Sequence, residues 1–320
     1  MRKRIDIIHT VNGPLSIVNC FLPFYFLILP PTNKIKMIIS AFNFQYQRIK
    51  SNLITFILII ATAISALYIG YRHDAIVRSI AYLFVMWLCS FFIDLYAIWR
   101  PAKNDFIVRN PRKETLWFFV CILGSALFFF LRFSGILNWE TINLALKLTI
   151  AVLLIFAFPI ALAIIFLLMK YKPFDLGIRL QGFIVVVPVI AISFLTNRII
   201  TPESLTWNRL IAESGGILEA LYTGFIIAGL SEEFFRVIGQ TRIGALVSNN
   251  GYGWFITTVI WALFHAPKWY MESHDLGEAL LSSIRIIPLG LMWGYMTHRT
   301  KSILPSVMVH GLNFWGLQNF

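Results

Sequence analysis

Nine apolar stretches follow one another along this chain, most of them close to the ~20 residues that a helix needs to cross a bilayer. They run roughly over 53–70, 78–99, 115–134, 144–169, 180–196, 217–240, 253–267, 279–298 and 303–320, with 180–196 and 253–267 on the short side. In hydrocarbon every backbone N–H and C=O needs a partner within the protein, so only helices and closed barrels cross. The stretches are continuous, not alternating, which argues against a barrel. The expected fold class is therefore all-α, a polytopic transmembrane helical bundle of about eight or nine spans. Composition agrees: 58% of residues are hydrophobic and 13% charged, which is not the balance of a soluble domain. The segment 15–30 contains Pro23 and Pro30 and has basic flanks, and it reads as an interfacial or re-entrant element.

The net charge of +12 does not point to nucleic acid, because most Lys and Arg residues lie in short loops between apolar runs. One set of loops holds Lys34, Lys36, Arg48 and Lys50, then Arg100, Lys103, Arg109, Arg112 and Lys113. It continues with Lys170, Lys172 and Arg179, then Arg242, then Arg299 and Lys301. The alternate loops hold only Arg72, Arg198, Arg209 and Lys268. Basic loops stay inside, so the first set is expected to be cytoplasmic. Cys20, Cys89 and Cys121 are scattered within apolar segments without metal-ligand spacing and read as small core or lipid-facing residues. No convincing cleavable signal follows the basic start, since the next apolar stretch is short and lacks a small-residue cleavage site.

The spans differ in character. Those from 53 to 169 are bulky and apolar, with Asp94 as the exception. Asp94 lies near a span end, which predicts a snorkelling or interfacial role. Spans after 215 are richer in Gly, Ser, His, Asn and Glu, so the functional half is expected to be C-terminal. No internal repeat is present, which weakens a transporter built on inverted repeats.

Ionisable groups inside a membrane are costly and usually face a protein interior or a wet cavity. The stretch from Leu221 to Gln240 carries Ser231, Glu232, Glu233 and Arg236. On a helix Glu232 and Arg236 are four apart and Glu233 and Arg236 three apart, so Arg236 reaches either carboxylate. One carboxylate is thereby held ionised, and the other, desolvated beside a like charge, becomes a proton acceptor useful near neutral pH. The bland alternative is a charge-neutralised helix end. His265 sits in Trp261-Ala262-Leu263-Phe264-His265-Ala266-Pro267, where Pro267 ends or kinks the helix. An imidazole there holds a water or donates to an oxyanion; alone, it reads as a structural histidine. His310 and Asn313, three apart, share a helix face and together suit a carbonyl oxygen or a water. Interhelical hydrogen bonding explains that pair equally well. Three such segments in succession favour a shared site.

These residues resemble the CAAX prenyl protease and bacteriocin-processing (CPBP, or Abi) intramembrane peptidases, whose pattern is EExxxR, FxxxH and HxxxN or HxxxD on successive helices. The resemblance covers roughly 174–320. It takes in Phe174-Asp175-Leu176-Gly177-Ile178-Arg179, Arg236 followed at four by Gln240, Gly290-Leu291-Met292-Trp293-Gly294-Tyr295, and Arg299 to Pro305. The chain departs from the pattern in three places. Glu232-Glu233-Phe234-Phe235-Arg236 is one residue short, and anchoring on Arg236 puts Ser231 where the first glutamate stands. Trp261 replaces Phe. Phe314 occupies the fourth place after His310, with Asn313 one place early.

The resemblance divides the chain into N-terminal membrane segments, 1–140, and a peptidase domain, 141–320. It implies an intramembrane endopeptidase hydrolysing a peptide bond of a membrane-associated or peptide substrate. Glu232, with Glu233, would activate water. His265 would position that water or stabilise the oxyanion, His310 and Asn313 would polarise the carbonyl, and Arg236 would orient the carboxylates, with Ser231 in support. The family is often called a metalloprotease. The sequence lacks a compact HExxH pair, so a metal-free mechanism is expected; were zinc present, Glu232, His265 and His310 would hold it. The partners expected are the substrate and the lipid bilayer, with no nucleic acid, in a bacterial inner (plasma) membrane. The alternative is a catalytically inactive CPBP-like scaffold or immunity protein; a proton-coupled transporter is a third class. One tension stands: the spans put Glu232 near mid-membrane but His265 toward the non-cytoplasmic end.

Overall fold

The structure, a computed structural model, describes residues 31–133, 143–201, 211–212, 214–313 and 318. The expected interfacial segment 15–30, Cys20, Arg209 and Phe314 lie outside the described residues. Among the described residues the regular structure is helical throughout, with no strand. The first six helices are α1 (Pro31–Ser51), α2 (Leu53–Arg72), α3 (Ile76–Trp99), α4 (Pro111–Phe133), α5 (Leu144–Ala157) and α6 (Ile160–Leu168). A short 3₁₀ turn, Phe183–Val185, leads into α7 (Val186–Ile200). Then α8 (Ile217–Leu221) runs through a π-helical stretch, Tyr222–Leu230, into α9 (Ser231–Leu246). The chain closes with α10 (Asn250–Leu263), α11 (Ala266–Ser273), α12 (Leu276–Arg285), α13 (Ile287–Thr300) and α14 (Leu304–Gly311).

Five described segments are long and apolar enough to cross a membrane: Leu53–Arg72, Ile76–Trp99, Pro111–Arg132, Phe183–Ile200 and Leu276–Thr300. The expected span 144–169 is not one straight rod. It bends by 73° between α5 and α6, where Pro159 cannot continue the helical ladder, and it makes a sixth crossing if counted as one. The chain is thus a multi-pass membrane protein. The stretch through α9 misses the apolar criterion because it carries Glu232, Glu233, Arg236 and Arg242. Helix α10 has 14 residues and α14 has 8. The basic segment 34–50, expected as a loop, is instead part of α1.

The predicted basic loops gather on one face. Arg179 donates from Nη1 and Nη2 to Asn104 O and Asp105 O, both at 2.8 Å. Lys301 Nζ pairs with Asp105 at 2.8 Å, Gln181 donates to Thr300 O at 2.8 Å, and the Ser302 hydroxyl donates to Arg179 O. On the opposite face Arg72 and His73 reach Glu278.

Two fully buried carboxylates tie the N-terminal helices to the C-terminal ones. Glu114 accepts from the Arg109 and Asn110 backbone N–H groups, from Tyr171 Oη at 2.7 Å and from Arg242 Nε at 3.0 Å. Asp94 accepts from Tyr295 Oη at 2.6 Å, Arg299 Nε at 2.8 Å and Gln45 Nε2 at 3.0 Å. This corrects the snorkelling expectation for Asp94, which is wholly enclosed and neutralised from α13. Cys89 and Cys121 are buried free thiols.

Helices α9 and α10 form an antiparallel hairpin that closes through glycine. A Cβ on Gly253 would lie 2.3 Å from Gln240 O and 2.4 Å from Gly244 N. A Cβ on Gly239 would lie 2.5 Å from Thr257 Cγ2. Asn249 caps α10 by accepting from Gly251 N and Tyr252 N.

Removing one partner of a buried ion pair costs about 3–5 kcal/mol, because it strands the other charge. Glu114→Ala is therefore expected to lower the thermal unfolding midpoint in detergent sharply. Exposed Lys268→Ala, whose partner Glu272 is a solvated i,i+4 neighbour, leaves it unchanged within about 0.5 kcal/mol.

Candidate active site

The hairpin register sets the site. Gly239 faces Thr257, so Glu232, seven residues before Gly239, is level with the last turn of α10. The depth mismatch between Glu232 and His265 is thereby removed: antiparallel partners joined by a tight turn arrive at the same level. Helix α10 ends at Leu263 and α11 begins at Ala266 with Pro267 in its first turn, leaving His265 at the junction. The third element, α14, lies against the π-helical stretch. A Cβ on Gly229 would meet Val307 O at 2.7 Å, and one on Gly311 would meet Gly224 O at 2.9 Å. π-Helical turns are rare and are frequently found at functional sites. Here the turn seats α14 so that His310 reaches α9.

Five of the expected residues converge. Glu232 Oε2 lies 3.9 Å from His265 Nε2 and 3.7 Å from His310 Nε2. Glu233 Oε1 lies 2.8 Å from His310 Nδ1 and 2.9 Å from Arg236 Nη2. Arg236 Nη1 donates to Gly290 O at 2.9 Å; its Nη2 contact is an ion pair without hydrogen-bond alignment. Arg236 therefore serves Glu233 at i,i+3. The expected repulsion between two bare carboxylates does not arise, because Glu233 is neutralised by Arg236 and faces His310.

The tautomers follow from partners. His265 Nδ1 lies 3.0 Å from Trp261 O, a carbonyl, so it is the donor. His310 Nδ1 faces the Glu233 carboxylate at 2.8 Å and also donates. Both rings thus hold their Nδ1–H away and present Nε2 to the same oxygen of Glu232.

Aromatic residues complete the cluster. Trp261 Nε1 donates to Glu232 Oε2 at 2.5 Å. The Arg236 guanidinium lies 4.3 Å from the Trp261 ring centroid and 5.3 Å from that of Trp293, within cation–π range. Trp293 stacks on His310, with centroids 3.8 Å apart. A Cβ on Gly290 would meet the Trp261 ring at 2.6 Å, so that glycine lets α13 approach α10. Sequence reasoning noted Trp261 only as a replacement for Phe. Its position four before His265 was the available signal, because those residues share a face. Gly290 and Trp293 entered the sequence reading only within the stretch Gly290 to Tyr295 that carries the resemblance, with no role assigned to either.

Exposure is graded. The Glu232 and His265 side chains keep 29% and 27% of their surface, while His310 keeps 9% and Glu233 and Arg236 keep 1%. Glu232 and His265 form the mouth; Glu233, His310 and Arg236 form the floor. On that floor Glu233 Oε2, Arg236 Nε and both amide atoms of Gln240 are buried without a hydrogen-bond partner among the described residues. Buried polar atoms of this kind bind water in folded proteins.

Two expected members lie outside the cluster. Helix α14 ends at Gly311, so Asn313 does not share a helix face with His310. It lines a separate small cavity with Met86, Ser193, Trp293 and Val309. Ser231 is half-buried on α9, and its side chain takes no part in the cluster's contacts among the described residues.

The side chains are not drawn together as they would be around a bound metal. Among the described residues no group of three or more His, Cys, Asp or Glu could hold one. Donors on a tetrahedral zinc with bonds near 2.0 Å sit about 3.3 Å apart, whereas the two Nε2 atoms are 3.7 and 3.9 Å from Glu232 Oε2. That oxygen already accepts from Trp261.

Residues 214–315 match the family model described as Type II CAAX prenyl endopeptidase Rce1-like. No curated protein and no solved structure matches the chain. The family match spans α9, α10, α13 and α14, which carry the converging side chains, and it indicates a CAAX-protease-type peptidase.

Arg236→Ala strands Glu233 and is expected to destabilise the protein by about 3–5 kcal/mol, read as a lowered unfolding midpoint in detergent. Arg236→Lys is expected to recover only part of this, because a single ammonium cannot reproduce the planar fork that spans Glu233, Gly290 O and two indole faces.

Proposed function

We propose that this chain is an intramembrane endopeptidase in which Glu232 activates the water that hydrolyses a peptide bond of a membrane-associated or peptide substrate. The convergence of His265 Nε2 and His310 Nε2 on Glu232 Oε2, at 3.9 and 3.7 Å, carries this reading. Contacts of that length are longer than direct hydrogen bonds, so the two Nε2 atoms and the Glu232 carboxylate stay available to a water bound beside them, and the exposed mouth gives Glu232 access to water and substrate.

The division of labour follows from burial. Glu232 takes a proton from the attacking water as its oxygen bonds to the scissile carbonyl carbon. The C–N bond then breaks, and the leaving amine takes the proton back from Glu232. His265, anchored by its Nδ1–H on Trp261 O, positions the water through Nε2. His310, held on Glu233 through Nδ1, aims Nε2 at the place where the oxyanion develops. Glu233 and Arg236 are positioning residues that hold His310 and the cluster floor. Asn313, on the other side of Trp293, has no substrate contact in this reading; its backbone N–H closes the turn after His310 by donating to His310 O at 3.0 Å.

No step passes through a metal. The fold reading that accompanies this is eight or nine crossings, of which the five long apolar segments and the bent α5–α6 pair supply six. The basic face is cytoplasmic, by the positive-inside rule, and the membrane is the bacterial inner membrane. Residues 141–320 form the peptidase domain, braced by the segments of 1–140 through Glu114 and Asp94.

Glu232→Gln is expected to reduce kcat about 10²- to 10⁴-fold, the usual worth of a positioned general base, with the unfolding midpoint retained. Glu233→Gln is expected to lose less in kcat and more in stability. The readout is cleavage of a prenylated CAAX peptide or of a membrane-anchored peptide library by the purified protein. If both variants cleave like wild type, or if wild type cleaves nothing, the scaffold reading replaces this one. Chelator is expected to leave activity intact; full loss with rescue by zinc would overturn the metal-free mechanism.

A further inference from the structure

Helix α1 shows three distinct stripes. Met37, Ile38, Ala41 and Gln45 face the protein and pack on the last turns of α3 beside Phe91 and Leu95. A second stripe, Ile35, Ile39, Phe42, Tyr46 and Ile49, is apolar yet exposed, with Tyr46 at 61%. Its spacing of four, three, four and three keeps it on one line of the helix. A third stripe, Lys36, Asn43, Gln47 and Lys50, is polar and exposed. The helix contains Lys34, Lys36, Arg48 and Lys50 and no acidic residue.

The position of α1 fixes what the two exposed stripes meet. It docks at the end of α3 that leads to Arg100, beside Arg299, whose guanidinium lies 4.1 Å from the Phe44 ring centroid. That is the basic face of the bundle. The exposed apolar line continues without a break from Ile49 into Leu53, Ile54 and Ile57 of α2, which is a spanning helix. A helix that is apolar on one side, cationic on another and level with the ends of the spans lies in the plane of the membrane–water boundary. We infer that α1 is an interfacial helix that seats its apolar stripe among acyl chains and binds anionic phospholipid headgroups through Lys36, Arg48 and Lys50. The occupant is lipid and not protein, because the apolar line is continuous with lipid-facing surface and the flanking charge is all of one sign.

The helix is also coupled to the bundle. Gln45 donates to Asp94, which Arg299 and Tyr295 of α13 also engage. How α1 sits in the leaflet thus bears on the C-terminal end of α13.

The test uses the full chain with Cys20→Ser, leaving the buried Cys89 and Cys121 in place, reconstituted in nanodiscs. An environment-sensitive label is placed on Tyr46→Cys or Gln47→Cys. The label at 46 is expected to be quenched by nitroxide on the upper acyl chain and shielded from iodide, and the label at 47 to show the reverse. Adding phosphatidylglycerol to phosphatidylcholine discs is expected to deepen the contrast, and 0.5 M salt, which shrinks the Debye length to about 4 Å, or the triple variant Lys36→Gln, Arg48→Gln, Lys50→Gln, to abolish that gain. Iodide reaching 46 and 47 alike overturns the interfacial placement. Shielding of 46 from both quenchers overturns it in favour of a protein partner or a second copy. Equal contrast with and without phosphatidylglycerol overturns the headgroup part. None of these readouts depends on peptidase activity.

Discussion

The ion pair between Glu233 and Arg236 is the constraint on which the rest of the site depends. A charge in a low-dielectric interior is tolerated only when it is paired and its remaining polar atoms are engaged. Arg236 is paired with a carboxylate, the Gly290 carbonyl and two indole faces, and its Nε has no protein hydrogen-bond partner among the described residues. Those partners come from α9, α10 and α13, so satisfying one guanidinium fixes the relative placement of three helices. The glycines follow from the same demand. Gly290 lets Trp261 approach, and Gly253, opposite Gly244, lets the hairpin close. The sites of close approach are where a side chain would push the charged cluster apart.

The same logic repeats at the basic face, with the charges further from the site. Glu114 takes four donors and Arg242 completes it; Asp94 takes three, one of them from Arg299. Both pairs join a helix before residue 140 to one after 230. The N-terminal segments therefore act as a brace. Arg242 fixes the basic end of α9 and Arg299 the basic end of α13, the two helices that Arg236 also links nearer mid-bilayer. Pinning each helix at two heights sets its tilt as well as its distance, and carboxylate–imidazole gaps near 4 Å require both.

The five long apolar segments, the bent pair over 144–168 and the converging groups were legible in the sequence because each leaves a local mark: a continuous apolar run, or an ionisable residue inside one. Spacing alone showed that Arg236 could serve either glutamate, but choosing Glu233 required knowing that Trp261 already holds Glu232. The level of His265 was not legible, since it depends on a hairpin register set by Gly239, Gly244 and Gly253, which have no side chains to betray it. Asp94 misled because nearness to a span end ordinarily means contact with the boundary, whereas here α1 covers that end. Helix α1 itself was hidden for a related reason. Its three stripes average to a polar segment, and only the structure separates the protein-facing line from the exposed apolar one. Asn313 was misplaced because helix α14 stops at Gly311, and a face shared by spacing exists only while the helix lasts.

The shortened acidic motif finds its physical resolution in this geometry. Removing one residue between the glutamates and Arg236 turns their side chains by about 100° relative to it, which would be ruinous if only i,i+4 contacts counted. Positions three and four apart both lie on one helix face, so Glu233 at three takes the arginine. Glu232 is then carried round toward α10, where a phenylalanine could offer no hydrogen bond and Trp261 does. The tryptophan and the missing residue thus belong to one change. A carboxylate displaced from arginine needs another donor, and the indole N–H at 2.5 Å supplies it. The π-helical stretch ends at Leu230, immediately before this turn, and it holds α14 close enough for His310 to touch both carboxylates. A motif that looks defective by spacing is in this way compatible with a complete set of contacts, which is why the peptidase reading is preferred over the inert scaffold.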